Sequence, residues 1–266
     1  MASLLALSRA EQETSKKWFV RSRLAHVATL LLSIPTLFVG EGAAYYLAFG
    51  ALTTEVVAWL LRFRADRRHS LAEEGRRRAL LADALNKQDE QLALRDLRTR
   101  FSARSEGLAP KFEDPKYYCS DEPPGNSRLR AHMQESAFWS RDLYGVAAQW
   151  ALVTSAALLV VVVVALFVVI GVGSGSTTLQ VARIGVLFLS FLVFSDVLTQ
   201  ALAWRDAAAK AEGVYRRLEG STLDDPGAAL AVFGDYSVAT ATTPPIPSLI
   251  YAVRKGRIDT AWQSVS

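Results

Sequence analysis

The sequence predicts an all-α membrane protein with four transmembrane helices, arranged as two hairpins around a long cytoplasmic helical segment. Composition is the first reason, because 51% of the 266 residues are hydrophobic, more than an ordinary soluble domain contains. Clustering is the second, because the apolar residues fall into four blocks that approach the roughly 20 residues a spanning helix needs. The blocks lie near residues 24–40, 43–61, 150–171 and 184–203.

The first block is the weakest of the four, since it is short and contains Ser33, Pro35 and Thr36. Proline is tolerated in a spanning helix when neighbouring groups satisfy the freed carbonyls. A cleaved secretory signal is the alternative, with the lysines and arginines before the block as its basic region. The second block follows almost immediately, which favours a helical hairpin. The third block is the strongest, because residues 158–170 are an unbroken apolar run.

Lysine and arginine are dense before the first block, between the second and third, and after the fourth, whereas the turns at 40–42 and 171–180 contain neither. By the positive-inside rule, both termini and the central segment lie in the cytoplasm. We therefore expect a multi-pass protein of the inner membrane. Its predicted parts are an interfacial N-terminal helix, a first hairpin, a central cytoplasmic region, a second hairpin and a cytoplasmic tail, at residues 1–23, 24–61, 62–147, 148–204 and 205–266.

The central region begins with a charged, proline-free stretch that runs to about Ser105. Leucines at spacings of three, four and seven predict an amphipathic helix or a short coiled coil there. Four prolines and Gly125 between residues 107 and 127 predict that the helix breaks, although Tyr117 and Tyr118 indicate an ordered segment.

A second helix is predicted from Asn126 or Ser127, continuous with the third spanning helix. The fourth spanning helix is expected to continue to about Leu218. Turns are predicted at residues 224–227 and 242–247 of the tail, because glycine and prolines cluster there.

Ionisable residues inside the predicted membrane helices need an explanation, because charge is costly there. Asp196 shares a helical face with Thr199 and Gln200, which gives a polar stripe that either lines a pore or bonds to a neighbouring helix. Glu55 either faces the same pore or reaches the inner interface. Arg183 is expected to extend to the outer headgroups.

Catalysis and metal binding find little support in the sequence. Cys119 is the only cysteine, which excludes an intrachain disulfide and a cysteine zinc cluster. The histidines His26, His69 and His132 are far apart in sequence. A membrane enzyme would have to depend on Cys119, and we therefore expect no enzymatic activity and no cofactor.

Specific local patterns add to this interpretation. They are Arg130-x-x-x-Gln134-Glu135-Ser136-Ala137-Phe138-Trp139, preceded by Tyr117-Tyr118 and Glu122-Pro123-Pro124-Gly125, and Pro244-Pro245-Ile246-Pro247-x-x-x-Tyr251 with Trp262. With the two-plus-two helix arrangement, they resemble a bacterial family. These are the predicted pore-forming effectors with four transmembrane helices that are associated with SMODS nucleotidyltransferases in CBASS anti-phage systems.

The resemblance implies an abortive-infection effector that forms homo-oligomers in the lipid bilayer and permeabilises it when a synthase makes a cyclic oligonucleotide. It implies no DNA or RNA partner. The chain has no recognisable separate nucleotide-sensor domain. Such a ligand requires cations for its phosphates and aromatic faces for its bases. The candidates on the cytoplasmic side are Tyr117, Tyr118, Arg128, Arg130, Trp139 and Arg141.

Two alternatives remain open. In the first alternative, Trp139 and its neighbour Phe138 are core residues, and the arginines are solvated or hold lipid phosphates. The protein is a constitutive membrane scaffold or regulatory subunit in the second, with the charged helix and proline-rich tail docking a cytoplasmic partner and Asp196 serving a structural purpose.

Overall fold

The computed structural model is all-α over the residues it describes, which are 2–85, 91–114, 117–118, 120–171, 177–220 and 226–264. Cys119, half of the predicted turn at 171–180 and the start of the predicted turn at 224–227 lie outside these residues. The described chain forms eight α-helices. They are α1 (Leu4–Ser33), α2 (Glu41–Leu85), α3 (Gln91–Thr99), α4 (Ala103–Leu108), α5 (Asn126–Gly171), α6 (Thr177–Gly220), α7 (Pro226–Ala241) and α8 (Ser248–Gln263).

The chain divides into two compact units, each assembled from separate stretches of sequence. The apolar unit contains Trp18–Arg64 and Ala148–Leu202. The polar unit contains Met1–Lys17, Ala65–Ala147 and Ala203–Ser266. Helices α1, α2, α5 and α6 each contribute residues to both units.

Three of the described helices, α2, α5 and α6, are long and apolar enough to cross a membrane. Their apolar stretches leave large side chains exposed, among them Tyr46 at 75% and Val153 at 72%. Water would penalise such a surface, whereas lipid tails accommodate it. The second, third and fourth blocks of the sequence thus form three long apolar helices that could span a membrane, which suggests a multi-pass membrane protein.

The first apolar block is divided between two elements. Helix α1 ends at Ser33, and a 3-10 turn follows at Ile34–Leu37. Pro35 lies in that turn and has no backbone N–H to continue the α-helical pattern. Residues 24–40 therefore do not form one continuous helix, and α1 is not among the described helices that meet the length and composition of a membrane span.

Small residues form the contact between α1 and α2, which run antiparallel. The contact positions recur every seven residues and are buried; they are Ser8, Ser15, Ser22 and Thr29 on α1 and Ala51, Ala58, Ala65 and Ala72 on α2. In the polar unit the Ser15 hydroxyl donates to the Ala65 carbonyl at 2.8 Å, and in the apolar unit Ser22 donates to Ala58 at 2.8 Å. Small residues permit this close approach of two backbones. The spacing of seven is visible in the sequence, but the sequence interpretation did not use it.

The central region differs from the sequence prediction in one respect. Helix α2 continues to Leu85, but the predicted helix does not extend unbroken to Ser105, because α3 ends at Thr99 and Ser102 begins a new helix. Ser102 accepts a hydrogen bond from the backbone N–H of Ser105, as N-cap residues do. Leu97 and Phe101 are buried in a cluster with residues of α1, and this packing stabilises the bend between α3 and α4.

Helix α5 begins at Asn126 and runs without interruption into the third apolar block, as predicted. Helix α6 continues to Gly220, and residues 242–247 form the predicted turn. The tail also contains α7 and α8, which the sequence interpretation left unassigned. Trp204 fixes the turn between them, since its indole N–H donates to the Pro244 carbonyl at 3.0 Å.

Candidate functional site

Asp196 and Glu55 belong to one polar cluster in the apolar unit. The imidazole of His26 lies between them, with Nδ1 3.1 Å from Glu55 Oε2 and Nε2 3.5 Å from Asp196 Oδ2. The three residues come from α2, α1 and α6, so three helices meet at this imidazole. Both carboxylates are partly exposed, and in an apolar environment such a partner stabilises their charge.

Two further side chains complete the cluster. Gln200 donates from Nε2 to Asp196 Oδ2 at 2.6 Å, one helical turn away on α6. Arg23 lies 3.5 Å from the same carboxylate and donates to the Gln200 amide oxygen. The polar cluster, defined as Arg23, His26, Glu55, Asp196 and Gln200, therefore brings three sequence-predicted residues together and adds two that sequence reasoning missed. The spacing of Arg23 and His26, three residues apart on α1, was the available signal.

Thr199 is not part of the polar cluster, although it was predicted to share the stripe. Its side chain is exposed and donates to the Ser195 carbonyl at 2.8 Å within its own helix. Arg183 also differs from expectation. Instead of reaching the headgroups, it is buried and donates to the Leu37 carbonyl at 3.4 Å, a group that the 3-10 turn leaves without a helical partner.

A large cavity adjoins the polar cluster within the apolar unit. Its volume is about 910 Å³, and its lining is mainly apolar and aromatic. His26, Glu55 and Asp196 are among the few polar residues that line it. The carboxylates therefore border open space in addition to contacting each other through the imidazole.

A second cavity, of about 410 Å³, lies within the polar unit. Tyr117, Tyr118 and Trp139, the three aromatic residues predicted to bind a ligand, all line it. Tyr118 stacks on His132, with ring centroids 4.0 Å apart, and Trp139 stacks on Tyr251 at 6.0 Å. We call this space the polar-unit cavity.

The three predicted arginines do not line the polar-unit cavity. Arg128 lies 3.3 Å from Asp83, and Arg141 donates to Glu212 at 2.8 Å. Arg130 donates twice to the Leu218 carbonyl, at 2.7 and 3.0 Å. Arg128 thus pairs with a carboxylate at the end of α2, whereas Arg130 and Arg141 bond to groups of α6. Their role as ligand contacts stays a prediction.

Other cations line the polar-unit cavity in place of those arginines. Four line the polar-unit cavity: Arg9, Lys16, Arg76 and Lys255. The guanidinium of Arg9 lies 4.7 Å from the centre of the Tyr117 ring, and the ammonium of Lys16 lies 5.7 Å from that of Tyr251. Cations and aromatic faces are thus adjacent around the cavity. Sequence reasoning missed these residues because they come from helices at opposite ends of the chain.

A buried ion pair forms one wall of the cavity. Arg76 donates twice to one oxygen of Glu73, at 2.7 and 3.0 Å, and Gln12 donates to the other oxygen at 2.6 Å. Burial raises the pKa of the Glu73 carboxyl, but the charge of Arg76 outweighs this and holds that pKa below its usual range. Glu73 is therefore ionised at neutral pH, and both charges are compensated.

His69, one helical turn before Glu73, lines the same cavity and is in a different situation. Its side chain is buried, and neither ring nitrogen has a hydrogen-bond partner within the described structure. Burial lowers the pKa of this imidazole, although Glu73 and Asp66 oppose the shift. His69 is therefore neutral at pH 7 and presents one donor and one acceptor that the protein leaves unused.

No group of three His, Cys, Asp or Glu residues in the described part of the chain could hold a metal ion.

No family model matches this chain. Comparison with curated proteins and with solved structures likewise finds no match.

Proposed function

We propose that this protein is a non-catalytic membrane effector that oligomerises and permeabilises the bacterial inner membrane in response to a cytoplasmic cyclic oligonucleotide. The resemblance to the CBASS effectors with four transmembrane helices implies this function. The polar cluster is the observation that carries it. Ionisable residues in membrane helices are costly and commonly mark ion pathways, and here three of them border a large cavity.

The proposal includes α1 as a fourth membrane-associated helix, paired with α2 as the first hairpin. Its apolar residues remain exposed at the chain surface, with Leu24 at 63% and Leu31 at 66%. Arg23 and His26 face inward to Asp196, so that α1 has the polarity of a helix between lipid and a bundle interior. The distribution of lysine and arginine supports cytoplasmic termini.

Permeabilisation through this bundle requires assembly, because four helices of one protomer do not enclose a wide aqueous channel. Exposed apolar residues of the apolar unit offer a surface to lipid or to further copies of the chain. In this mechanism assembly or a signal rearranges α1, α2 and α6, and the contacts of His26 with Glu55 and Asp196 open. The freed carboxylates then line a path for cations.

Membrane potential in bacteria that express the protein, with and without an active cyclic-oligonucleotide synthase, tests this function. We expect synthase-dependent depolarisation and dye leakage for the natural chain, and loss of both for Asp196→Ala. Thr199→Ala is the matched control, since Thr199 lies on the same helix but outside the polar cluster. Each variant is first confirmed in the inner-membrane fraction. Undiminished leakage for Asp196→Ala would remove the polar cluster from the mechanism.

The scaffold alternative rests on one observation. Each member of the polar cluster has a partner within the cluster, an arrangement equally suited to holding three helices together. An intact membrane potential with and without the synthase, together with ligand-independent capture of a cytoplasmic partner, would support the scaffold and contradict the effector.

A further inference from the structure

The polar-unit cavity contains a buried polar group that the protein itself leaves unpartnered. His69 is 7% exposed, and neither of its nitrogens has a hydrogen-bond partner in the described structure. Buried polar side chains are nearly always hydrogen-bonded, and an exception requires an explanation such as a bound molecule. The neighbouring carboxylate of Glu73 needs no bound molecule, because Arg76 and Gln12 already donate hydrogen bonds to it. The imidazole is thus a cavity group that lacks a partner, as is the hydroxyl of Tyr118, which lines the same cavity.

Aromatic rings and cations line the same space. Trp139 and Tyr251 stack at 27° and belong to α5 and α8, and the ammonium of Lys16 lies over the Tyr251 ring. Tyr251 is 39% exposed and Lys255 is also exposed, so both are accessible from outside the cavity. Aromatic faces of this kind stack on nucleobases, and lysine and arginine bind phosphate oxygens.

The charge of the lining restricts the class of ligand. Four cations are matched by four carboxylates: Arg9, Lys16, Arg76 and Lys255 against Glu73, Asp114, Glu135 and Asp259. A phosphodiester carries one negative charge, whereas a nucleoside triphosphate carries several. A lining with no net charge suits the former and does not compensate the latter. The volume of about 410 Å³ lies within the range of small-molecule pockets and fits a base with its sugar and phosphate.

We propose that the polar-unit cavity is the binding site for one nucleotide of a cyclic, phosphodiester-linked oligonucleotide, with His69 hydrogen-bonding the edge of its base. Trp139 and Tyr251 provide the stacking surface, and Lys255 contacts the phosphodiester together with Lys16, whose ammonium also pairs with Glu13 at 2.5 Å. This assignment deepens the proposed function and rests on it for the ligand class. It also replaces the arginines predicted from the sequence, which lie elsewhere.

Binding of cyclic dinucleotides and a cyclic trinucleotide to the full-length protein in detergent tests the site, with ATP as the polyanionic competitor. His69→Phe removes both imidazole nitrogens but keeps a planar ring, and Lys255→Met removes an exposed charge of the cavity. Lys210→Met is the matched control, because Lys210 is an exposed lysine of the same unit that pairs with Asp206. Thermal unfolding shows that each variant is folded.

We expect at least one cyclic probe to bind, and both cavity variants to weaken it by about tenfold or more, the equivalent of one lost hydrogen bond or ionic contact. Lys210→Met should leave the affinity unchanged, and ATP should compete poorly. Equal affinity for the natural chain and both cavity variants would overturn the assignment, as would absence of binding for every cyclic probe. Preference for ATP would overturn the ligand class.

The outcomes for the site and for the function are distinguishable. Ligand binding that depends on His69, without any membrane leakage, would contradict the effector function and retain the site. Synthase-dependent leakage that persists in the His69→Phe and Lys255→Met variants would retain the function and reject the site.

Discussion

In the apolar unit, the imidazole of His26 contacts two carboxylates, whereas in the polar unit the imidazole of His69 borders a cavity and contacts no hydrogen-bond partner in the described structure. Both side chains are buried. The difference lies in what surrounds them, because His26 is held between three helices and His69 faces space beside a pair that is already satisfied. A complete set of partners stabilises the fold, while an incomplete set is a site that a ligand can complete.

Breaking the buried ion pair between Glu73 and Arg76, which forms one wall of the polar-unit cavity, should have the largest effect on stability. Glu73→Gln leaves the charge of Arg76 buried without compensation, and we expect the free energy of unfolding to fall by about 3–5 kcal/mol. Glu74→Gln is the control, because Glu74 pairs with Arg78 at a more accessible position and should cost about 1 kcal/mol or less. Chemical unfolding in one detergent compares the two. A similar loss for both variants would contradict the special status of the buried pair.

Acid should destabilise the polar unit through His132, which stacks on Tyr118. Burial lowers the pKa of this imidazole from 6.5 to about 4, although nearby Asp83 opposes the shift. The folded form therefore resists protonation, so its contribution to stability is complete above pH 6.5 and is lost as the pH falls toward 4. We expect this residue to account for about 2–3 kcal/mol of that loss.

The measurement is the free energy of unfolding between pH 7 and pH 4 for the natural chain and for His132→Phe, which keeps a ring against Tyr118. Other groups, Glu73 among them, also titrate, so the difference between the two proteins isolates His132. Parallel pH profiles for the two proteins would exclude the predicted contribution.

Removing one partner from the polar cluster should cost less. Gln200→Leu deprives Asp196 of a donor and Arg23 of an acceptor, and we expect a loss of about 1 kcal/mol, typical of polar contacts between membrane helices. Thr199→Val, at the exposed neighbouring position, should have little effect. Thermal unfolding in the same detergent compares the variants, and an unchanged midpoint for Gln200→Leu would weaken the view that the cluster is complete.

An effect of similar size should have the opposite sign. His69→Phe replaces an unpartnered buried polar group by an apolar ring, and without ligand we expect it to raise the free energy of unfolding by about 1 kcal/mol. Unfolding of the ligand-free protein measures the change. A loss of stability would indicate that His69 has a structural purpose, and the contrast between the two imidazoles would then disappear.

The sequence determined the all-α architecture, the apolar stretches of α2, α5 and α6, and the start of α5 to within one residue, at Asn126 or Ser127, because these follow from local hydrophobicity and capping. It also identified Asp196 with Gln200, since residues four apart on a helix share a face. Tyr117, Tyr118 and Trp139 stood out as aromatic residues in a polar region, and all three line one cavity.

Tertiary structure decided which cations accompany them. Arg128, Arg130 and Arg141 are near the aromatic residues in sequence, but in the structure they pair with Asp83, Leu218 and Glu212, respectively, and do not line the cavity. Cavity cations such as Arg9 and Lys255 are separated by most of the chain, and His26 reaches Asp196 across a comparable distance in sequence. Periodicity reports which face of a helix a residue occupies, and it contains no information about which other helix packs against that face.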